Sequence, residues 1–168
     1  MSRLIVVLAA LLSLAACGKP KAEVAADAAV NLAKAKLFMA ENAKQPGVQV
    51  TPSGLQYKIV RSGPATGMHP QEADEVKVNY EGKLPDGKVF DSSYARGMPA
   101  AMPLANLIPA WVEALKLMRP GDEWILYVPP ELGYGAEGAG ADIPPNSPLI
   151  FRIELIDLLP APGRVQQG

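Results

Sequence analysis

The sequence predicts an α+β fold: a curled antiparallel β-sheet of five to six strands packed on one short α-helix, with a second helix ahead of it. Three observations predict it. Residues 55–59 and 76–81 alternate apolar and polar side chains, and 124–128 and 149–155 carry further strand patterns. Within that span only Ile108 to Met118 has a helical period. Apart from Pro20, all of the 17 prolines lie in residues 46–168, which excludes a long helical bundle there because proline breaks helix interiors.

At 168 residues the chain has room for one domain and a short appendage. Hydrophobic residues make up 49% and charged residues 20%, enough apolar side chain for a packed core. A net charge of -1 leaves no basic excess for nucleic acid. One cysteine excludes an internal disulfide and a Cys-cluster metal site.

Residues 1–17 read MSRLIVVLAALLSLAAC. Arg3 precedes an apolar run from Leu4 to Leu14, and small Ala15 and Ala16 follow. The run falls short of the roughly 20 residues a bilayer-spanning helix needs, so it reads as a secretory signal peptide covering 1–16. Its end, Leu14-Ala15-Ala16-Cys17, resembles the bacterial lipoprotein signal. That resemblance implies acylation of Cys17, cleavage before it and a membrane anchor. Gly18 stands where an Asp would mark inner-membrane retention. The outer membrane, facing the periplasm, is therefore preferred, with the cell surface as the alternative.

Residues 17–46 form the lipidated N-terminus and an Ala-rich helical stalk, with the helix over 21–45. Val24, Ala28, Leu32, Ala35 and Met39 make a thin apolar stripe, and Pro46-Gly47 ends it. The stripe buries little, so a solvated stalk and a monomer are expected, with a small dimer contact as the alternative.

The domain proper spans 47–159, and nine of the ten aromatics lie between Tyr57 and Phe151. Leu55, Tyr57 and Ile59 point one way on a half-buried strand, as do Val76, Val78 and Tyr80 on the next. Asp86-Gly87 is a hairpin signal, after which Lys88-Val89-Phe90 resumes the strand. Met102 to Leu104 is short and extended. Pro109 suits the first turn of a helix whose apolar positions are Ile108, Trp111, Val112, Leu115 and Met118, and Pro120-Gly121 stops it. The strand around Trp124, Leu126 and Val128 is apolar on both faces and so central. Leu149, Phe151, Ile153 and Leu155 form the last strand, and 160–168 is a flexible tail.

Familiar chemistries fail one by one. Gly133, Gly135 and Gly138 match G-x-G-x-x-G, but Ile143-Pro144-Pro145 follows instead of a helix, so no dinucleotide site is expected. His69 stands alone in a turn-rich stretch, which leaves no Ser-His-Asp or Cys-His set. No carboxylate pair sits in an apolar setting. No metal and no cofactor are expected.

What remains is specific. Residues 76–97 read V-x-V-N-Y-E-G-x-L-x-D-G-x-x-F-D-S-S-Y-x-R-G. Leu107-Ile108-Pro109-Ala110-Trp111, Pro129 to Gly135 and Ile143-Pro144-Pro145-Asn146-Ser147 follow in order. This resembles the FKBP-type peptidyl-prolyl cis-trans isomerases, in particular the macrophage infectivity potentiator branch, over about residues 36–159. The resemblance implies an apolar pocket that takes proline-containing polypeptides and has room for a macrolide inhibitor. Catalytic roles fall to Asp91, Tyr134 and Tyr80. Phe90, Arg96, Leu107, Ile108, Trp111, Ile143 and Phe151 would bind substrate, with Trp111 as the floor. The Ile108 backbone N–H and the Tyr134 hydroxyl would hold the substrate carbonyl, and Arg96 and Tyr80 would pair with Asp91.

Three positions depart from the family pattern. Ala100 stands where many relatives have Phe, Asp142 where an aliphatic residue is usual, and the loop from Ala136 to Ala141 lacks a bulky residue. These changes bear on substrate preference and macrolide affinity. The competing functional class is a non-catalytic envelope chaperone that uses the same groove to hold clients. The presence of Tyr80, Phe90, Asp91 and Trp111 together favours the isomerase.

Overall fold

The structure, a computed structural model, describes residues 21–163. The signal segment 1–16, Cys17 and residues 164–168 of the tail lie outside the described residues.

Seven strands form one antiparallel sheet. Helix α1 (Lys21–Asn42) comes first, followed by β1 (Val48–Val50), β2 (Gln56–Arg61), β3 (Glu75–Lys83) and β4 (Val89–Ser92). A one-turn helix α2 (Ser93–Arg96) leads to β5 (Ala100–Pro103), helix α3 (Pro109–Leu117), β6 (Glu123–Val128) and β7 (Leu149–Leu159). The sheet order is β1-β2-β6-β7-β3-β4, with β5 also on β3. The doubly apolar strand β6 is interior, between β2 and β7, as its pattern requires. The one strand beyond the expected five to six is β1, whose three residues are too few to show an alternation.

The edge of β3 is shared. β5 covers Glu75 to Val78, and β4 covers Glu81 to Lys83. Between them the chain leaves the sheet as α2. Ser92 starts that turn by accepting the Ala95 N–H (3.2 Å), and Gly97 ends it at φ 72. The gap leaves the Tyr80 N–H without a strand partner, and the buried Ser93 hydroxyl accepts it at 2.8 Å.

Helix α3 packs against the sheet through a shared buried core. Pro109 presets its first turn. Its buried face is Ala110, Trp111, Ala114 and Leu115, continued by Met118. Val112, expected inward, is half-buried instead, because small Ala110 and Ala114 occupy the side that lies on the sheet. Val76, Val78, Leu126, Leu149, Ile153 and Leu155 meet it from β3, β6 and β7, all fully buried. At about 25 cal/mol per Å² of apolar surface removed from water, this layer is the main source of stability.

The N-terminal helix is not a free stalk over its second half. Ala35 and Met39 are buried, and the Phe38 ring lies 6.3 Å from that of Tyr127. The Gln56 side chain donates to the Met39 carbonyl and accepts from Asn42, both at 2.8 Å. Phe38 and Met39 supply the area that the alanines lack.

Candidate functional site: an aromatic cleft with a charged rim

Four rings come from four elements. Alternation on β3 points Tyr80 inward, β7 contributes Phe151, α3 presents Trp111 from its first turn, and β4 brings Phe90. They meet edge to face. Tyr80 and Trp111 are 5.1 Å apart at 82°, Trp111 and Phe151 5.3 Å at 89°, and Phe151 and Phe90 5.6 Å at 86°. This geometry sets the positive edge of one ring against the negative face of the next. Gly82 makes the seating possible. A Cβ there would lie 2.6 Å from Phe90 and 2.7 Å from Phe151, so no larger residue fits.

The rings line an open cleft of about 310 Å³. Its wall holds Tyr80, Phe90, Asp91, Leu107, Ile108, Trp111, Tyr134 and Phe151, together with Met102 and Asn106. Trp111 and Phe151 are almost fully buried and form the deep part. Met102 had a readable signal, since it alternates with Ala101 and Pro103 on β5. Asn106 is the exposed end of a single turn (Leu104–Asn106) that carries no periodicity.

Ile143 is not part of the cleft wall and belongs to the buried core. Its amide and carbonyl both pair with Ala139, and that pairing fixes the loop with the side chain packed inward. Arg96 does not line the cleft either, but reaches its edge from α2.

At that edge Asp91, Tyr80 and Arg96 form a closed triangle. The Tyr80 hydroxyl donates to Asp91 Oδ2 at 2.5 Å, Arg96 Nη1 pairs with Asp91 Oδ1, and Arg96 Nη2 donates to the Tyr80 oxygen at 2.8 Å. The guanidinium also lies over the Tyr80 ring, 5.4 Å from its centroid. Burial by itself would raise the Asp91 pKa. Hydrogen bonds from Tyr80 and Arg96, the Arg96 charge and the Ser92 amide outweigh it and hold the carboxyl below its ordinary value. Burial, then the bond to Asp91, pushes the Tyr80 phenol up, and the separate bond from Arg96 to Asp91 raises the guanidinium. Asp91 is therefore a fixed negative charge at neutral pH, unsuited to proton transfer.

Two donors at the cleft remain uncommitted among the described residues. The Ile108 N–H precedes α3 and has no backbone acceptor, while the Ile108 carbonyl caps the helix by accepting from Trp111 (2.9 Å) and Val112 (3.2 Å). The Tyr134 hydroxyl is kept protonated, chiefly by burial and then by the Asp91 charge, and no hydrogen bond takes part. The cleft thus offers an apolar floor, a fixed anion and two neutral donors.

The remaining candidates are placed plainly. The glycine-rich stretch from Gly133 is a run of turns with Gly135 at φ 58 and Gly138 at φ 66, and no helix follows it. His69 Nδ1 sits 3.0 Å from the Met118 carbonyl, away from the cleft. Ala100 is half-buried, and Asp142 is exposed and paired with Lys88 at 2.8 Å. Among the described residues no group of three or more His, Cys, Asp and Glu stands together.

Comparison with known proteins now adds to the geometry. Residues 66–156 match the FKBP-type peptidyl-prolyl cis-trans isomerase family, and residues 9–59 match the domain found amino-terminal to such isomerases. The chain is 52% identical over 122 residues to the FKBP-type 22 kDa peptidyl-prolyl cis-trans isomerase of Escherichia coli, covering 73% of this chain and 58% of that protein. It is 46% identical over 140 residues to the outer membrane protein MIP of Legionella longbeachae, covering 83% and 59%. The crystal structure of FkpA from Escherichia coli superposes with a TM-score of 0.80 at 46% identity, covering 84% of this chain and 65% of that one. The chain thus spans a little over half the length of the curated relatives it matches. A curled sheet on one short helix, an aromatic cleft at their junction and a match over most of the domain agree: the chain belongs to the FKBP-type peptidyl-prolyl cis-trans isomerase family, in its Mip-like branch.

Proposed function

We propose that this protein accelerates cis–trans isomerisation of X-Pro bonds in polypeptides of the bacterial envelope. The observation that carries the proposal is the edge-to-face ring set of Tyr80, Trp111, Phe151 and Phe90 beside the Asp91 triangle.

The X-Pro barrier arises from loss of amide resonance as the C–N bond twists, and uncatalysed exchange takes tens to hundreds of seconds. A twisted amide is less charge-separated than a planar one, so an apolar cleft favours it relative to water. Burial of the proline ring by itself stabilises planar and twisted forms alike and only tightens binding. The rate gain comes from what differs between them. A thousandfold gain needs only about 4 kcal/mol of such difference. The Ile108 N–H and Tyr134 hydroxyl hold the substrate carbonyl while the proline side turns. Asp91 orients the wall and faces the carbonyl carbon of the twisting amide. None of these steps needs a nucleophile or a cofactor.

The test is the cis-to-trans rate of a short peptide with a large apolar residue before proline. The purified protein should raise it at micromolar concentration. Asp91→Leu and Tyr134→Phe should each lower the gain at least severalfold while the fold persists. A wild-type rate equal to the uncatalysed one would leave client holding as the better reading.

The N-terminus completes the proposal. Acylated Cys17 anchors the protein to a membrane, the outer one preferred on the basis of Gly18 and supported by a relative named as an outer membrane protein. Cys17→Ala should move the protein to the soluble fraction, and continued processing and membrane retention of that variant would reject the anchor. The clients are proline-containing polypeptides, macrolide inhibitors compete for the cleft, and the protein is a monomer. Sedimentation of the chain lacking its lipid checks the last point, which a stable dimer would refute.

A further inference from the structure

The loop that carries Tyr134 is tied to the N-terminal helix by a pair of asparagines. Asn31 Nδ2, on α1, donates to the Pro145 carbonyl at 3.0 Å. Asn146 Nδ2 donates back to the Ala28 carbonyl of α1, also at 3.0 Å. Ala28 and Asn31 are three residues apart and so neighbours on one helix face, and Pro145 and Asn146 are adjacent. The result is a two-point clasp between α1 and the loop.

The clasp continues toward the cleft. The Asn146 N–H donates to the Gly135 carbonyl at 2.8 Å, and the Gly135 N–H donates to Pro130 at 2.8 Å. Tyr134, between them, accepts the Gly138 N–H through its own carbonyl at 3.1 Å. Asn146 is also the one non-glycine residue with positive φ among the described residues, at 55°. Asn tolerates that conformation better than most residues, but it is sparsely populated and persists only where surroundings hold it. Here the surroundings are the Ala28 carbonyl on one side and Gly135 on the other. A backbone held this way fixes the exit of the loop, whereas the Tyr134 side chain is exposed and has no bond of its own.

We propose that Asn146 and Asn31 are positioning residues, through which docking of the N-terminal helix fixes the loop that presents the Tyr134 hydroxyl to substrate. The inference rests on the isomerase reading above. Without the clasp the loop samples more conformations, and substrate must order it on binding. The cost falls on KM more than on kcat.

The variants are made in the full chain. Asn146→Asp keeps a residue that accepts positive φ but replaces the donor by a carboxylate. Asn31→Ala removes the opposite bond and leaves the loop sequence intact. Each should raise KM about three- to tenfold, change kcat less than twofold and leave the cooperative melting of the sheet in place. In a Tyr134→Phe background, Asn146→Asp should add less than twofold, because the effect passes through that hydroxyl. A full additional effect there, or unchanged KM in both single variants, overturns the proposal. A second readout does not depend on activity: amide exchange at Gly138 and Asn146 should speed up at least tenfold in Asn31→Ala. Unchanged exchange also overturns it. If the wild-type protein is inactive but exchange responds as stated, the isomerase reading fails while the clasp stands.

Discussion

The floor of the cleft and the loop from Pro129 to Pro148 are held in different ways. Trp111 and Phe151 lie on a helix and a strand, are buried, and touch neighbouring rings edge to face. The loop has two short backbone pairs, several turns and the asparagine clasp, and most of its side chains from Tyr134 to Asp142 are half-buried or exposed. The first region owes its shape to packing and the second to hydrogen bonds. Packing resists local opening, whereas loops with few apolar contacts open at low cost. The floor therefore sets what fits, and the loop sets how firmly it is gripped.

The largest expected effect is on the floor. Gly82→Ala drives a methyl group into Phe90 and Phe151, and overpacking of this kind costs about 1–3 kcal/mol. The melting temperature should drop and turnover should fall at least tenfold. An unchanged melting temperature would show that the rings give way freely.

Gly138→Ala addresses the loop. Its Cβ would lie 2.2 Å from the Ile143 carbonyl at φ 66, so the turn must rearrange. Amide exchange at Ala139 and Ile143 should accelerate while the protection of β6 and β7 is retained. Loss of protection across the sheet would erase the distinction drawn here.

A smaller effect is expected in the Asp91 triangle at the edge of the cleft. The native pKa of Asp91 is below the unfolded value of about 4. The unfolded chain thus binds the proton more readily, and the contribution to stability is complete above about pH 4 and lost as pH falls through the native pKa. The difference in melting temperature between wild type and Asp91→Asn should be constant from pH 5 to 8 and shrink below pH 4. A difference that shrinks on the alkaline side would contradict the sign. The smallest effect should come from Lys88→Ala. The Lys88–Asp142 pair is exposed at both ends and should contribute no more than about 1 kcal/mol. A larger loss, measured by urea unfolding, would show that the loop leans on this contact.

The same contrast explains what the sequence made legible. The rings on regular elements announced themselves, since Tyr80 alternates on β3, Phe151 on β7, and Trp111 follows Ile108 by three residues on α3. Tyr134 had no pattern of its own and was reached only through family resemblance. The inward turn of Ile143 depends on backbone pairing with Ala139, which no side-chain spacing reveals. Gly82 stood inside the recognised motif, yet its role emerges only from two rings on other strands. The docking of α1 was unreadable for a similar reason, because Asn31 and Pro145 lie 114 residues apart. β1 was too short for any period to show.

The central claim is that the ring-lined cleft lowers the barrier to rotation about a bound prolyl bond. Exchange NMR on a proline peptide with substoichiometric protein tests it most directly. The account predicts cis–trans exchange peaks within about a second of mixing, accompanied by a shift of the Trp111 indole signal. A Trp111 shift with no exchange peaks would contradict it, since the cleft would then grip proline without helping it turn.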